Sequence, residues 1–254
     1  MLKKKQRSSE PTSDRRPIRV AYKLLNFVLP IGLLLLIQLG LVELSILLAL
    51  FSKWRVFAVK PRHMLANLRS NLVDITVKVS TLAFMIEASD AEATGELVAW
   101  TAWYVLWLTL IKPGSTRKWM TFQAGAAHLL GVSAVLLFSN NLNDVFTLGI
   151  IWLVALSSAR HYISSYEEPK TQLISHMWAL FVLQLAWVLN KWLLVYVFVP
   201  QLIFIVGVVG YTLASIYDAQ KNEKLKAAFV RQQAGMSIAV LILIIILADW
   251  QGSA

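Results

Sequence analysis

Eight apolar runs occupy most of this 254-residue chain, at roughly Leu24 to Phe51, Asn71 to Ile86, Leu97 to Ile111, Trp119 to Phe138, Val145 to Ala159, Gln172 to Leu189, Leu193 to Tyr217 and Met236 to Trp250. In a bilayer every backbone N–H and C=O must be paired within its own segment, so helices are the natural assignment for such runs. A composition 57% hydrophobic and only 15% charged is too apolar for an ordinary soluble domain. Several runs are shorter than the roughly 20 residues that a span requires, so their ends are expected in the interface. The fold class that follows is all-α, a polytopic transmembrane helical bundle.

The charges between the runs assign sides. Glu87, Asp90, Glu92 and Glu96 crowd one connection without a base, and Ser139 to Asp144 is also free of bases, so these are expected outside. Lys112, Arg117 and Lys118 fill the next turn, Arg160 and Lys170 another, and Lys221, Lys224, Lys226 and Arg231 the last long one, all expected in the cytoplasm. The net charge of +10 is thereby read as topology, with anionic headgroups at the cytoplasmic face as its partner and no nucleic acid.

The first run tests this scheme. Crossing once from a cytoplasmic amino terminus, it would place Lys53, Arg55, Lys60, Arg62 and Arg69 outside and invert every later loop. As one helix it would also be about 40 Å long, well over a hydrocarbon core of about 30 Å. A helical hairpin over 22–57, turning at Gly40, repairs both faults. The count is then about nine helices, or eight if the run is a single helix, with all Lys and Arg except Lys78 and Lys191 on the cytoplasmic side.

Residues 1–21, basic and rich in Ser, Pro and Thr, are expected to form a disordered cytoplasmic tail, and 22–254 a single transmembrane domain. Within it, 60–70 reads as an interfacial amphipathic helix, because Met64, Leu65 and Leu68 share one face opposite His63, Asn67 and Ser70. Seven further spans are expected across 71–250.

Five intramembrane polar residues are candidates for chemistry. Asp74 and Lys78 lie four apart on one helical face, where an ion pair is expected. On the insertion scale the apolar residues of their segment supply about −2.5 to −5 kcal/mol against about +5 to +7 for these two, so the helix is not lipid-exposed all round. His128 sits beside Ala124, Gly125, Ala126, Ala127 and Gly131, small residues that admit a close neighbour, so it is expected to face protein. His176 and Gln184, eight apart, could line the same seam. Trp100, Trp103 and Trp107 with Tyr104 form an aromatic stripe suited to interfacial anchoring or packing. Glu167 and Glu168 read as a solvated loop ended by Pro169.

With no cysteine, disulfides, thiolate metal sites and cysteine nucleophiles are excluded. The four histidines make no metal-binding spacing, and no phosphate-binding loop, nucleophile elbow or zinc-protease motif occurs, which argues against an ATP-driven pump or an intramembrane metalloprotease. No catalytic residue, cofactor or metal set is expected.

The stretch Ser52-Lys53-Trp54-Arg55, Lys60-Pro61-Arg62, Leu65-Ala66-Asn67 and Asn71-Leu72-Val73-Asp74 resembles multi-pass membrane proteins of small-genome candidate-phylum bacteria such as Saccharibacteria. The resemblance covers the first third of the chain. It implies a bacterial cytoplasmic membrane and carries no activity or functional residue.

Three function classes remain. A small-solute or ion transporter or channel component comes first, on the strength of Asp74, Lys78 and His128 in the bilayer. A membrane scaffold or assembly partner, binding another protein or a second copy, fits the absence of internal repeats and the long basic face. A lipid-modifying enzyme would need His128, His176 or a carboxylate in an interface-facing cleft, and no such cluster is apparent.

Overall fold

The computed structural model describes residues 15–54, 58–139, 142–190, 195–196 and 199–247. Among them are nine helices: α1 (Arg15–Gln38), α2 (Val42–Phe51), α3 (Pro61–Asp90), α4 (Thr94–Ile111), α5 (Arg117–Leu137), α6 (Asp144–Ser164), α7 (Thr171–Asn190), α8 (Gln201–Lys221) and α9 (Ala227–Ile246). The six from α4 to α9 are long and apolar enough to cross a membrane. α3 is about 45 Å long, but Asp74, Lys78 and Glu87 interrupt its apolar stretch.

The first apolar run breaks at Gly40, the only glycine in the left-handed region among the described residues, with φ +72°. The Leu41 N–H bonds to Leu36 O at 2.8 Å and the Gly40 N–H to Ile37 O at 2.9 Å, the paired bonds of a Schellman turn. Glycine adopts this conformation without the Cβ clash that a side chain would meet. α2 then runs back along α1, although its ten residues reach only about 15 Å.

Three expectations on element bounds change. Of the tail expected to be disordered, 1–14 lie outside the described residues, and α1 already includes 15–21; Pro17 falls in its first turn, where a missing N–H is tolerated. The stretch 60–70 is not a separate interfacial helix. It forms the first turns of the continuous 30-residue α3, opened by Pro61, because no glycine or second proline interrupts the chain before Asp90. Ahead of α8, the described residues of the apolar run form not helix but a two-residue antiparallel pairing of Val195–Tyr196 with Val199–Pro200. β-branched and aromatic residues favour extended backbone here, and proline holds the helix start at Gln201.

Two apolar cores share α5. The first gathers Leu33 and Ile37 of α1, Ala49 of α2, Val77 and Met85 of α3, Tyr104 and Trp107 of α4, and Ala127 of α5. The second joins Val132 of α5 to Ile151 and Val154 of α6, Val182 of α7 and Val206 of α8. α3 touches α1, α2, α4, α5 and α6.

Gly131 is where α3, α5 and α6 approach most closely. A Cβ there would lie 2.6 Å from Thr76 Cγ2 and 2.6 Å from Val154 Cγ1, whereas one on Gly125 would meet nothing within 4 Å. Gly131→Ala should therefore cost about 1–3 kcal/mol through overpacking. Gly125→Ala, on the same helix, should be neutral or stabilise by up to about 1 kcal/mol. Thermal unfolding of both variants in detergent checks the contrast, and equal midpoints would contradict this packing.

Candidate functional site at the basic end of the bundle

α4 does not finish as an α-helix. Its last turn, Trp107–Ile111, widens to a π-helix, and the Lys112 N–H bonds five residues back to Trp107 O at 2.8 Å. Such turns leave carbonyls in need of donors and are common at functional sites. Donors come from two other helices. Asn26 of α1 gives Nδ2–H to Leu108 O at 3.3 Å, and Gln123 of α5 gives Nε2–H to Ile111 O at 2.6 Å and to Gly114 O at 2.9 Å. The Gln123 Oε1 in turn accepts from His161 Nε2 at 3.0 Å, which selects the Nε2–H tautomer if the ring is neutral.

Asp74 of α3 lies beside this π-turn. Its Oδ1 accepts from the Trp107 indole at 3.0 Å. Its Oδ2 is shared by two ammoniums, Lys53 from the turn after α2 and Lys112, at 3.0 Å, from the turn after α4. The expected pair of Asp74 with Lys78 is not made. Lys78, one turn on, donates instead to Ala49 O at 3.2 Å and to the Ser52 hydroxyl. A helix C-terminus presents unpaired carbonyls and partial negative charge, and that of α2 sits within reach of Lys78. Three lysines thus surround one carboxylate. Burial first, then the charges of Lys112 and Lys78, pull the Lys53 ammonium below the usual lysine range, to about 7, and burial also lowers Lys112.

His128 faces protein, as its small neighbours imply. It is 7% exposed and lies against Trp178 of α7, ring centroids 5.8 Å apart, and neither ring nitrogen has a hydrogen-bond partner. The seam expected to join it to His176 and Gln184 does not form. α7 buries Ser175, Ala179, Val182 and Ala186, so Gln184 is exposed on the other face, while His176 meets the Trp152 ring edge and Gln172 O. The tryptophan stripe is chiefly packing: Trp100 stacks on Phe84 at 4.5 Å, Trp103 lies against Trp107, and Trp107 is buried.

A second polar junction ties α5, α6 and α8 at the same end. The Tyr166 hydroxyl donates to Asp218 at 2.7 Å, Tyr162 to Ala214 O at 2.8 Å, and Tyr217 to Glu168 at 2.9 Å; Lys221 pairs with Glu168 at 2.5 Å. Arg117 lies 4.5 Å above the Tyr166 ring and bonds Asn222. Glu168, read from sequence as solvated, is therefore a tie between the loop after α6 and the end of α8. Among the described residues no group of three or more His, Asp or Glu is arranged to hold a metal ion.

Searches for a matching family model, a similar curated protein or a similar solved structure find none.

Two outcomes follow. Asp74→Asn leaves two ammoniums without their carboxylate and should destabilise by about 3 kcal/mol, close to the loss on breaking a buried pair. Lys112→Gln, on the most exposed of the three donors to Asp74, should cost under about 1 kcal/mol; detergent unfolding that ranks the two in reverse order would contradict this geometry. Lys221 and then Tyr217 hold the Glu168 carboxyl below its ordinary value near 4.5. Its stabilising contribution is thus complete above that value and lost as pH falls through the lowered one. Between pH 5 and 3, Glu168→Gln should show a shallower loss of thermal midpoint than the unsubstituted chain, and parallel curves would sever Glu168 from this junction.

Proposed function

We propose that the protein is a membrane transport component for a small anionic solute, with the Asp74 cluster as an ionic closure at the cytoplasmic end of the bundle. The observation that carries this reading is the way one carboxylate, Asp74, holds the ammoniums of the turns after α2 and α4. Such contacts exchange for solute or water without opening a hydrophobic core, and bistable elements of this kind are what gates are made of. His128 supports the reading from deeper in the bundle. A buried imidazole with both nitrogens unpaired costs about 1–3 kcal/mol, and a polar visitor in that layer would offset it.

The chain has no cysteine, so single substitutions report access cleanly. In reconstituted vesicles, Asp74→Cys and His128→Cys should react with a membrane-impermeant thiol reagent added on the basic side. A folded protein whose position 128 stays unlabelled from both sides would remove the water path on which transport depends.

One observation favours a second reading, an assembly partner within the membrane. α9 packs mainly on α8 and has no buried residue, leaving Gly235 and Ala239, one turn apart, on its outer face. Cross-linking in vesicles separates the two readings, since a solitary chain with a labelled position 128 fits transport alone.

A further inference from the structure

We propose that Lys53 and Lys112, with Lys78 behind them, form a binding site for a phosphoryl dianion at the basic end of the bundle. This rests on the ligand-facing role given above to the Asp74 cluster and names its ligand class.

The argument starts from charge. Lys53 and Lys112 are held on a single oxygen of one carboxylate, and Lys78 stands behind them on Ala49 O and the Ser52 hydroxyl. The α2 C-terminus and the end of α4 each add roughly half a negative charge. About one positive charge is still unmet. That surplus lies where Asp74 and Lys53 are only 13% and 15% exposed, a setting in which unmatched charge is expensive. Burial first, and then that crowding, loosens the hold of Lys53 on its proton. Among the described residues, Asp74 is the acidic group that pairs with these lysines.

Donor geometry narrows the ligand. Each ammonium has three N–H groups, and Lys112 spends one on Asp74 while 41% of its side chain remains exposed. An anion arriving from that open side meets Lys112 first, then Lys53. A carboxylate would merely repeat Asp74, and a monatomic anion brings one charge and no second oxygen to spread over separated donors. A tetrahedral oxyanion with two charges can take Lys112 and Lys53 on different oxygens while Asp74 keeps Trp107. Lys53 and Lys112 lie just beyond the ends of α2 and α4, so the phosphoryl group can belong to an anionic lipid or to a free phosphate.

The test uses the full chain in nanodiscs and follows the thermal midpoint by tryptophan fluorescence. One arm titrates inorganic phosphate into phosphatidylcholine discs. The other compares phosphatidylcholine discs with discs containing phosphatidic acid. A saturable rise in the first arm assigns the site to free phosphate, and a rise confined to the second assigns it to a lipid headgroup. In either case Lys112→Gln should weaken the response roughly tenfold, the loss of one charge-assisted contact, whereas Lys118→Gln, exposed at the same end outside the cluster, should leave it unchanged. No rise in either arm, or equal rises in all three proteins, overturns the proposal. Labelling at position 128 without a phosphate response would leave transport standing with another solute. A phosphate response without labelling would leave a binding site that opens onto no path.

Discussion

The architecture at the basic end depends on one carboxylate. Asp74 lies thirteen residues into α3, the helix that touches five others, and it collects an indole from α4, an ammonium from the turn after α4 and another from the turn after α2. Each donor comes from a different point along the chain, so the carboxylate closes long loops with one group. In a medium of low dielectric these contacts are strong, and for the same reason leaving any of them unmade is costly. The positions of α2 and α4 relative to α3 are therefore coupled through charge at this end and through apolar packing elsewhere.

Around this group the structure solves a backbone problem. Each helix end leaves carbonyls without an internal partner, and at membrane depth water is not a ready substitute. The ends of α2 and α4 are met by side chains of other helices: Lys78 on Ala49, Asn26 on Leu108 and Gln123 on Ile111 and Gly114. The π-turn at Trp107–Ile111 fits the same pattern, since it turns the Trp107 indole towards Asp74 while leaving its carbonyls to Asn26 and Gln123. Polar residues at this end are thus tied mostly to helix ends, and His128, with neither, stands apart from them.

The fold was largely legible because its signals are local. The apolar runs, the base-rich and acid-rich connections and the glycine at the hairpin turn all act through a few neighbouring residues and the bilayer thickness. Where local pattern misled, a competing local preference was stronger: α3 continued through 60–70 because nothing stopped it, and the run before α8 stayed extended because of Pro200 and its β-branched neighbours. The candidate site was legible in part. Asp74, Lys78 and His128 stood out as polar residues in apolar surroundings, while Lys53 and Lys112 were hidden among charges already explained by topology. Trp107 passed as one member of a stripe.

By itself, the sequence determined that the chain forms a helical bundle suited to a membrane, where it turns, and which intramembrane residues require compensation, because hydrophobic periodicity and the cost of buried charge are properties of short segments. Only the tertiary structure decided which groups supply that compensation. Asp74 and Lys78, adjacent on their helix, take different partners 21 to 38 residues away for Asp74 and 26 to 29 for Lys78. The physical reason is that an ion pair four residues apart must compete with unpaired helix ends brought alongside by packing, and their location is a property of the assembled bundle.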